Sequence, residues 1–294
     1  MARYVVAVSG GVDSIELLVM LVNGSLPNSN RQISLANLIV AHFDHGIRTD
    51  SADDAQFVAT LAKKYGLTFE TAREELGVGA SEELARTQRY AFLRQVAKKY
   101  DAKIMTAHHS NDVIETVAIN LTRGTGWRGL AVLDSPDIER PLLNLTKAEI
   151  ILYAKQQKLE WREDSTNTDT AYLRNDLRNK LTMLDNDSRE LIGLYRKRQV
   201  ALKRYIDDET NKLIGASPYS RHLFITCNET AALELLRAVF VHETGASPAI
   251  KQRRQALHAI KVLPAGKSLT VGDGIAICFT KTNFVVQPRP KVVS

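Results

Sequence analysis

The sequence predicts an α/β protein: a doubly wound, mostly parallel sheet, then a helical linker, then a small α+β domain. Three observations carry this. Between Tyr4 and Leu121, short apolar runs alternate with stretches of helical spacing, four of each. A long charge-laced helix is expected over Arg189–Leu213. From about Gly215 the pattern changes to two helices and a set of short alternating strands. The expected boundaries are residues 1–185, 186–214 and 215–294.

The first run, Tyr4–Val8, is β-branched and ends in a glycine-rich turn. Helical spacing follows from Asp13 to Leu21, with Ile15, Leu18 and Val19 on one side. Leu35–Phe43 is the second buried strand. Gly24–Ser34, before it, is a polar insert expected to form a surface loop. Ser51–Tyr65 is a helix whose apolar face holds Ala55, Val58, Ala59 and Ala62. Leu67–Thr71 is a strand, and Ser81–Tyr100 a helix capped by Ser81. Lys103–Ala107 is a strand, and Asp112–Leu121 and Leu145–Lys158 are helices. Asp164–Tyr172 is polar and predicts a loop. The C-terminal region predicts helices over Thr230–Val241 and Ser247–Lys261, then strands over Ser268–Val271, Ile275–Thr280 and Asn283–Val286. In such a parallel sheet, ligands bind at the carboxyl ends of the strands.

Hydrophobic and charged fractions of 44% and 24% are those of an ordinary globular chain, and 294 residues suffice to bury a core. The net charge is +6 and the pI about 9.2, which fits an acidic partner such as nucleic acid, or merely a solvated basic surface. The two cysteines, Cys227 and Cys278, are too few and too far apart for a CxxC pair or a thiolate metal site. The N-terminus carries no signal-peptide pattern and no apolar run is long enough to span a bilayer, so the expectation is a cytoplasmic protein with no membrane partner.

The loop Ser9-Gly10-Gly11-Val12-Asp13-Ser14 follows the first strand and opens the first helix. Glycine lets the backbone approach an anion, the two serines add hydroxyls, and the helix start presents free N–H groups. A plain strand–helix turn capped by Asp13 is the simpler alternative. Two other loops fail on context. Gly266-Lys267-Ser268 could end a Walker A motif, but Lys261 stands where its first glycine belongs. Gly124–Gly129 fits GxGxxG but follows a helix, not a strand.

A second constellation ends the fourth strand: His108-His109-Ser110-Asn111-Asp112, with Glu115 one turn on. Asp112 and Glu115 share a helix face. They are a capping pair, or two carboxylates for Mg²⁺ or an incoming amine; His108 and His109 bind phosphate or satisfy the turn. His42-Phe43-Asp44-His45 ends the second strand, where Asp44 and the backbone suit an adenosine moiety or close a turn. Glu82, Arg86 and Arg89 align at i, i+4 and i+7, the spacing of a surface ion-pair stripe. Arg196, Lys197, Arg198, Lys203 and Arg204 on the long helix, and Lys251, Arg253 and Arg254 beyond it, are nucleic-acid contacts or solvated faces.

The Ser9–Ser14 loop resembles the PP-loop of the N-type ATP pyrophosphatases, which cleave ATP to AMP and pyrophosphate. That likeness implies ATP and Mg²⁺, with Asp13 as a metal carboxylate. The ordered motifs SGGVDS, HFDHGIR, ELARTQRY, TAHHSNDVIET, LTRGTGWRGL, RPLL and DSTNTDTAYLRNDLR are similar to those of the bacterial tRNA(Ile)-lysidine synthases, over roughly residues 1–185. The C-terminal part is only weakly similar and is shorter than in long members of that family.

The resemblance implies an adenine nucleotide alpha hydrolase-like fold and a tRNA-modifying ligase. ATP would adenylate the C2 carbonyl of the wobble cytidine of tRNA(Ile) bearing CAU, and free L-lysine would then displace AMP. It places Ser9 to Ser14, Asp44 and His45 at ATP; Asp13, Arg86, Asp112 and Glu115 in catalysis; and His108, Arg123, Arg174 and Arg178 at the tRNA. The alternatives are another PP-loop ligase or an inactive tRNA-binding paralogue. A homodimer is compatible with the sequence but not specified by it.

Overall fold

The computed structural model describes residues 2–27, 32–46, 51–77, 81–162, 181, 183–272 and 274–288, with backbone alone at 52 and 82. Two compact units divide it, residues 1–200 and 201–294. The division falls inside the long helix expected as a linker.

In the first unit five strands form one parallel sheet. They are β1 (Arg3–Ala7), β2 (Leu38–Asp44), β3 (Thr68–Arg73), β4 (Ala102–Met105) and β5 (Ile138–Glu139), in the order β3-β2-β1-β4-β5. Among the described residues, its helices include α1 (Val12–Asn23), α2 (Ser51–Lys64), α3 (Glu82–Tyr100), α4 (Ser110–Thr122) and α5 (Lys147–Gln156). All seven residues of β2 are buried, which is why Leu38–Ala41 is apolar without alternation; the buried polar residues His42 and Asp44 are hydrogen-bonded.

The period of two decides which side each strand residue faces. Tyr4, Val6, Val8, Leu38 and Val40 enter a core shared with Ile15 and Leu18 of α1, Val58 and Ala62 of α2, and Ile150 of α5. Val5, Ile39, Ala41 and Ile104 enter the opposite core, closed by Tyr90, Leu93 and Val96 of α3. Each buried valine, leucine or isoleucine among them stabilises the fold by about 1.5–3 kcal/mol relative to exposure.

Helix ends follow local chemistry. Ser81 caps α3, its Oγ accepting from the Leu84 N–H at 3.2 Å. Gly24 ends α1 at φ 65°, the left-handed conformation that favours glycine. A 3₁₀ turn over Leu35–Asn37 delays the second strand to Leu38. The insert expected as a surface loop is described only in part, because residues 28–31 lie outside the description.

The chain leaves β1 for β2 and β3 on one side and then returns to place β4 on the other side of β1. The switch point therefore lies between β1 and β4. The Ser9–Ser14 loop follows β1 and the His108–Asp112 turn follows β4, so both border the crevice that such a switch opens.

The long helix α6 (Asn186–Ile214) runs through the division between the units. The second unit adds α7 (Arg221–Thr226), α8 (Glu229–Thr244) and α9 (Ile250–Val262), with an antiparallel sheet of order β6-β9-β8-β7. Its strands are β6 (Tyr219–Ser220), β7 (Ser268–Val271), β8 (Ile275–Phe279) and β9 (Asn283–Pro288). Phe224, Phe240 and Phe284 are fully buried in its own core. Arg221 is buried too, its guanidinium donating to the carbonyls of Ile260, Leu263 and Thr280 at 2.8–2.9 Å.

Candidate active site

The loop after β1 is built for an anion. Gly10 sits at φ 97°, a conformation side-chain-bearing residues avoid, whereas Gly11 lies at φ −72°. A Cβ at Gly11 would meet only Ser9 Oγ, at 3.6 Å. The fold thus demands glycine at Gly10 alone; at Gly11 the missing side chain keeps the space before the loop open. Gly11, not Asp13, is the N-cap of α1, so the capping role considered for Asp13 is corrected. Among the described residues, the N–H groups of Gly10, Val12 and Asp13 have no protein acceptor.

The serines brace the loop from within. Ser14 Oγ donates to the Gly11 carbonyl at 2.9 Å and accepts from the Ser9 N–H at 3.1 Å. Two further ties hold it from outside. His42 of β2 binds the Val8 carbonyl at 2.8 Å through Nδ1, and the Arg162 N–H donates to the Gly10 carbonyl at 3.0 Å. Arg162 is itself fixed by Asp54 of α2 at 2.6 Å.

Asp13 faces a partner that no local spacing announces. Lys147, the first residue of α5, places Nζ 2.6 and 2.7 Å from the two oxygens of Asp13. The Lys147 backbone N–H donates to Asn111 Oδ1 of α4 at 3.1 Å. The starts of α1, α4 and α5 therefore converge. His109 lies between carboxylates, its Nε2 3.7 Å from Asp13 and its Nδ1 3.6 Å from Asp112, both too long for hydrogen bonds.

Asp112 does cap α4: its carboxylate accepts the His109 N–H at 2.8 Å. The expected cap partner was Glu115 reaching back; instead Asp112 reaches back, and Glu115 is buried on the next turn with 7% exposure. The Asp112 side chain stays 30% exposed.

Beside these groups stands a cationic cluster. Arg86 lies 5.0 Å and Arg89 5.4 Å from the centre of the Tyr90 ring. The Glu82 side chain of the stripe expected on α3 lies outside the description. Burial, with Arg140, Arg86 and Arg89 adding to it, pushes the His108 pKa down to about 3, so its imidazole is neutral at physiological pH. His108 Nδ1 meets Thr106 Oγ1 at 2.8 Å, and Arg140 donates to the carbonyls of Leu133 and Ile138.

Other expected residues stand differently. Asp44 is buried and closes a turn, accepting the Gly46 N–H at 2.9 Å and Arg73 at 3.1 Å. His45 follows it, packed edge-on against Phe43. Arg123 ends α4, about 16 Å along the helix axis from Asp112, and is exposed. Arg174 and Arg178, with the polar stretch 164–172, lie outside the described residues. Sequence reasoning missed Lys147 and Arg162 and gave Asn111 no role of its own, because these roles rest on contacts between distant segments. Behind α4 a cavity of about 40 Å³, lined by Ser110, Val113, Ile114, Leu143 and α6, has the size for a water or two and is too small for a nucleotide.

A glycine loop and helix start at the switch point of a β3-β2-β1-β4-β5 sheet define a nucleotide-binding α/β domain. Residues 1–184 match the PP-loop domain family, and the chain belongs to that family. It is 39% identical over 189 residues to the tRNA(Ile)-lysidine synthase of Thermotoga sp. (strain RQ2), covering 61% of this chain and 44% of that protein. With the tRNA(Ile)-lysidine synthase of Wolbachia pipientis wMel it shares 39% identity over 191 residues, 62% of this chain and 43% of that one. The chain thus spans less than half the length of these curated relatives. A similar solved structure is the U34-tRNA thiolase NcsA from Methanococcus maripaludis, at TM-score 0.57 and 19% identity over 68% of this chain and 72% of that one; the likeness is one of fold.

Among the described residues no helix is long and apolar enough to cross a membrane, and no group of three or more His, Cys, Asp or Glu stands ready to hold a metal.

Proposed function

We propose that this chain makes lysidine in tRNA(Ile). ATP lies along the crevice with its phosphates on the Ser9–Ser14 loop and its adenosine at the end of β2. The C2 carbonyl oxygen of the wobble cytidine attacks the α-phosphorus, the bond to the bridging oxygen breaks, and pyrophosphate leaves with that electron pair. The ε-amine of free L-lysine then adds to C2, and AMP departs with the former carbonyl oxygen. Asp112 and Glu115 hold the lysine ammonium and take up its proton. Arg86 stands on the side of the activated base, with His108, Arg123, Arg174 and Arg178 toward the tRNA.

One observation supports this arrangement above others: the loop carboxylate Asp13 and the α4 carboxylate Asp112 flank the same residue, His109, at 3.7 and 3.6 Å. Nucleotide and amine would thus meet across one side chain. Mg²⁺ fits the donor set, since this ion binds through one or two carboxylates and the phosphates themselves rather than in a protein cage. Asp13 would hold it, and it would neutralise phosphate charge. Residues 1–200 contain no cysteine, so the unit that carries the loop supplies no thiol of its own for sulfur chemistry.

The test is incorporation of labelled lysine into a tRNA(Ile) transcript bearing CAU, with ATP and Mg²⁺. Incorporation by the unaltered chain, abolished in Asp13→Ala, is expected. ATP-to-AMP turnover with another acceptor and no lysine incorporation would refute lysidine formation and keep the nucleotide loop.

A further inference from the structure

Lys147 holds a position that the loop chemistry above leaves unused. Its ammonium sits on both oxygens of Asp13, one turn from the open N–H groups of α1. Its backbone is fixed: Asn111 accepts its N–H, and Thr146 and Glu149 cap the same helix start reciprocally at 2.7 and 3.2 Å. Lys147 and Asp13 are 37% and 31% exposed, so the pair stands at the mouth of the crevice. The neighbouring cations are committed elsewhere, Arg162 to Asp54 and Arg140 to backbone carbonyls.

An anion arriving at the loop meets the Asp13 carboxylate, which repels it. Lys147 cancels that charge while the loop is empty. A lysine ammonium is a compact charge with three donors on a flexible stem, so it can turn from a carboxylate to a phosphate without moving its backbone. We infer that Lys147 is the pyrophosphate-side cation of this site, held on Asp13 in the empty loop and transferred to the β- and γ-phosphates when nucleotide binds. As the bond from the α-phosphorus to the bridging oxygen breaks, the electron pair stays on pyrophosphate, and the Lys147 N–H groups donate to it. The inference rests on the nucleotide role of the loop, not on the identity of the acceptor.

Pyrophosphate binding, measured by titration calorimetry in EDTA with AMP as control, tests it. Lys147→Ala should weaken pyrophosphate at least tenfold and leave AMP within twofold. Asp13→Ala should tighten metal-free pyrophosphate severalfold, because it releases the ammonium and removes a like charge; adding Lys147→Ala to it should erase that gain. A merely structural salt bridge would lower thermal stability in both single variants and leave pyrophosphate affinity within twofold, which would overturn the inference. The assay contains neither tRNA nor lysine, so failure of the lysidine proposal cannot mimic that result. An unaltered chain that binds neither ATP nor pyrophosphate, with or without Mg²⁺, would overturn the nucleotide role and this inference together.

Discussion

Glu16 lies one turn beyond Asp13 on α1, with no exposed surface and no hydrogen-bond partner for either carboxylate oxygen among the described residues. Burial raises its pKa from 4.5 to about 7. Between those values the native state keeps a proton that the unfolded chain has released. Stability therefore falls as pH rises through this window, and the loss is complete above about 7. The shift corresponds to a cost on the order of 3 kcal/mol at pH 8. Glu16→Leu should stabilise the protein far more at pH 8 than at pH 5, read by urea unfolding at both. An equal gain at both pH values would show that no buried charge is involved. The sequence marks α1 as apolar on one side, but it cannot show that the helix is covered all round, which is what strands this carboxylate. Lys147 illustrates the same limit: its partner Asp13 is 134 residues away, and only the fold joins them. The glycine loop and the carboxylates of α4 were legible because strand, turn and helix are contiguous in the chain.

The start of α4 combines two jobs in one side chain. Asp112 accepts the His109 N–H and keeps a side chain that is 30% exposed. Asp112→Asn keeps an oxygen acceptor for the cap and loses the charge. It should alter stability by less than about 0.5 kcal/mol, while the KM for lysine rises at least tenfold under the proposed reaction. Asp112→Ala loses both and should cost about 1 kcal/mol of stability as well. Unfolding curves and lysine kinetics separate the two roles; an unchanged lysine KM in Asp112→Asn would leave Asp112 as a cap only. Elements of this length were legible from periodicity. The five-strand sheet was not complete in the sequence, because β5 has two residues and no period to show. β6, also two residues, and α7, six residues, escaped for the same reason. On α3 the spacing of Glu82, Arg86 and Arg89 suggested ion pairs; what periodicity did not show is that both arginines lie against the Tyr90 ring.

At the scale of the whole chain, a net charge of +6 favours an acidic partner but does not say which cations meet it. The structure sorts them. Arg196 donates to the carbonyls of Val132 and Leu133, and Arg253 to those of Pro248 and Leu233, so both brace their own units. Lys251 and Arg254 on α9 are exposed, Arg254 only loosely paired with Glu229 at 3.6 Å. Exposed pairs of this kind contribute little to stability, so these side chains are cheap to redirect toward phosphate. With tRNA as the proposed substrate, each phosphate contact releases counterions, and the slope of log K against log salt counts those contacts. Lys251→Ala with Arg254→Ala should reduce that slope by about 2 and leave the melting temperature nearly unchanged. Arg253→Ala should do the reverse, lowering thermal stability by exposing two carbonyls to no donor while the slope stays near its original value. Filter binding of the tRNA between 50 and 200 mM salt, roughly the range over which such contacts dominate, reads both effects. A slope unchanged in the Lys251/Arg254 pair would remove α9 from the tRNA path and assign the basic charge of the second unit to its solvated surface.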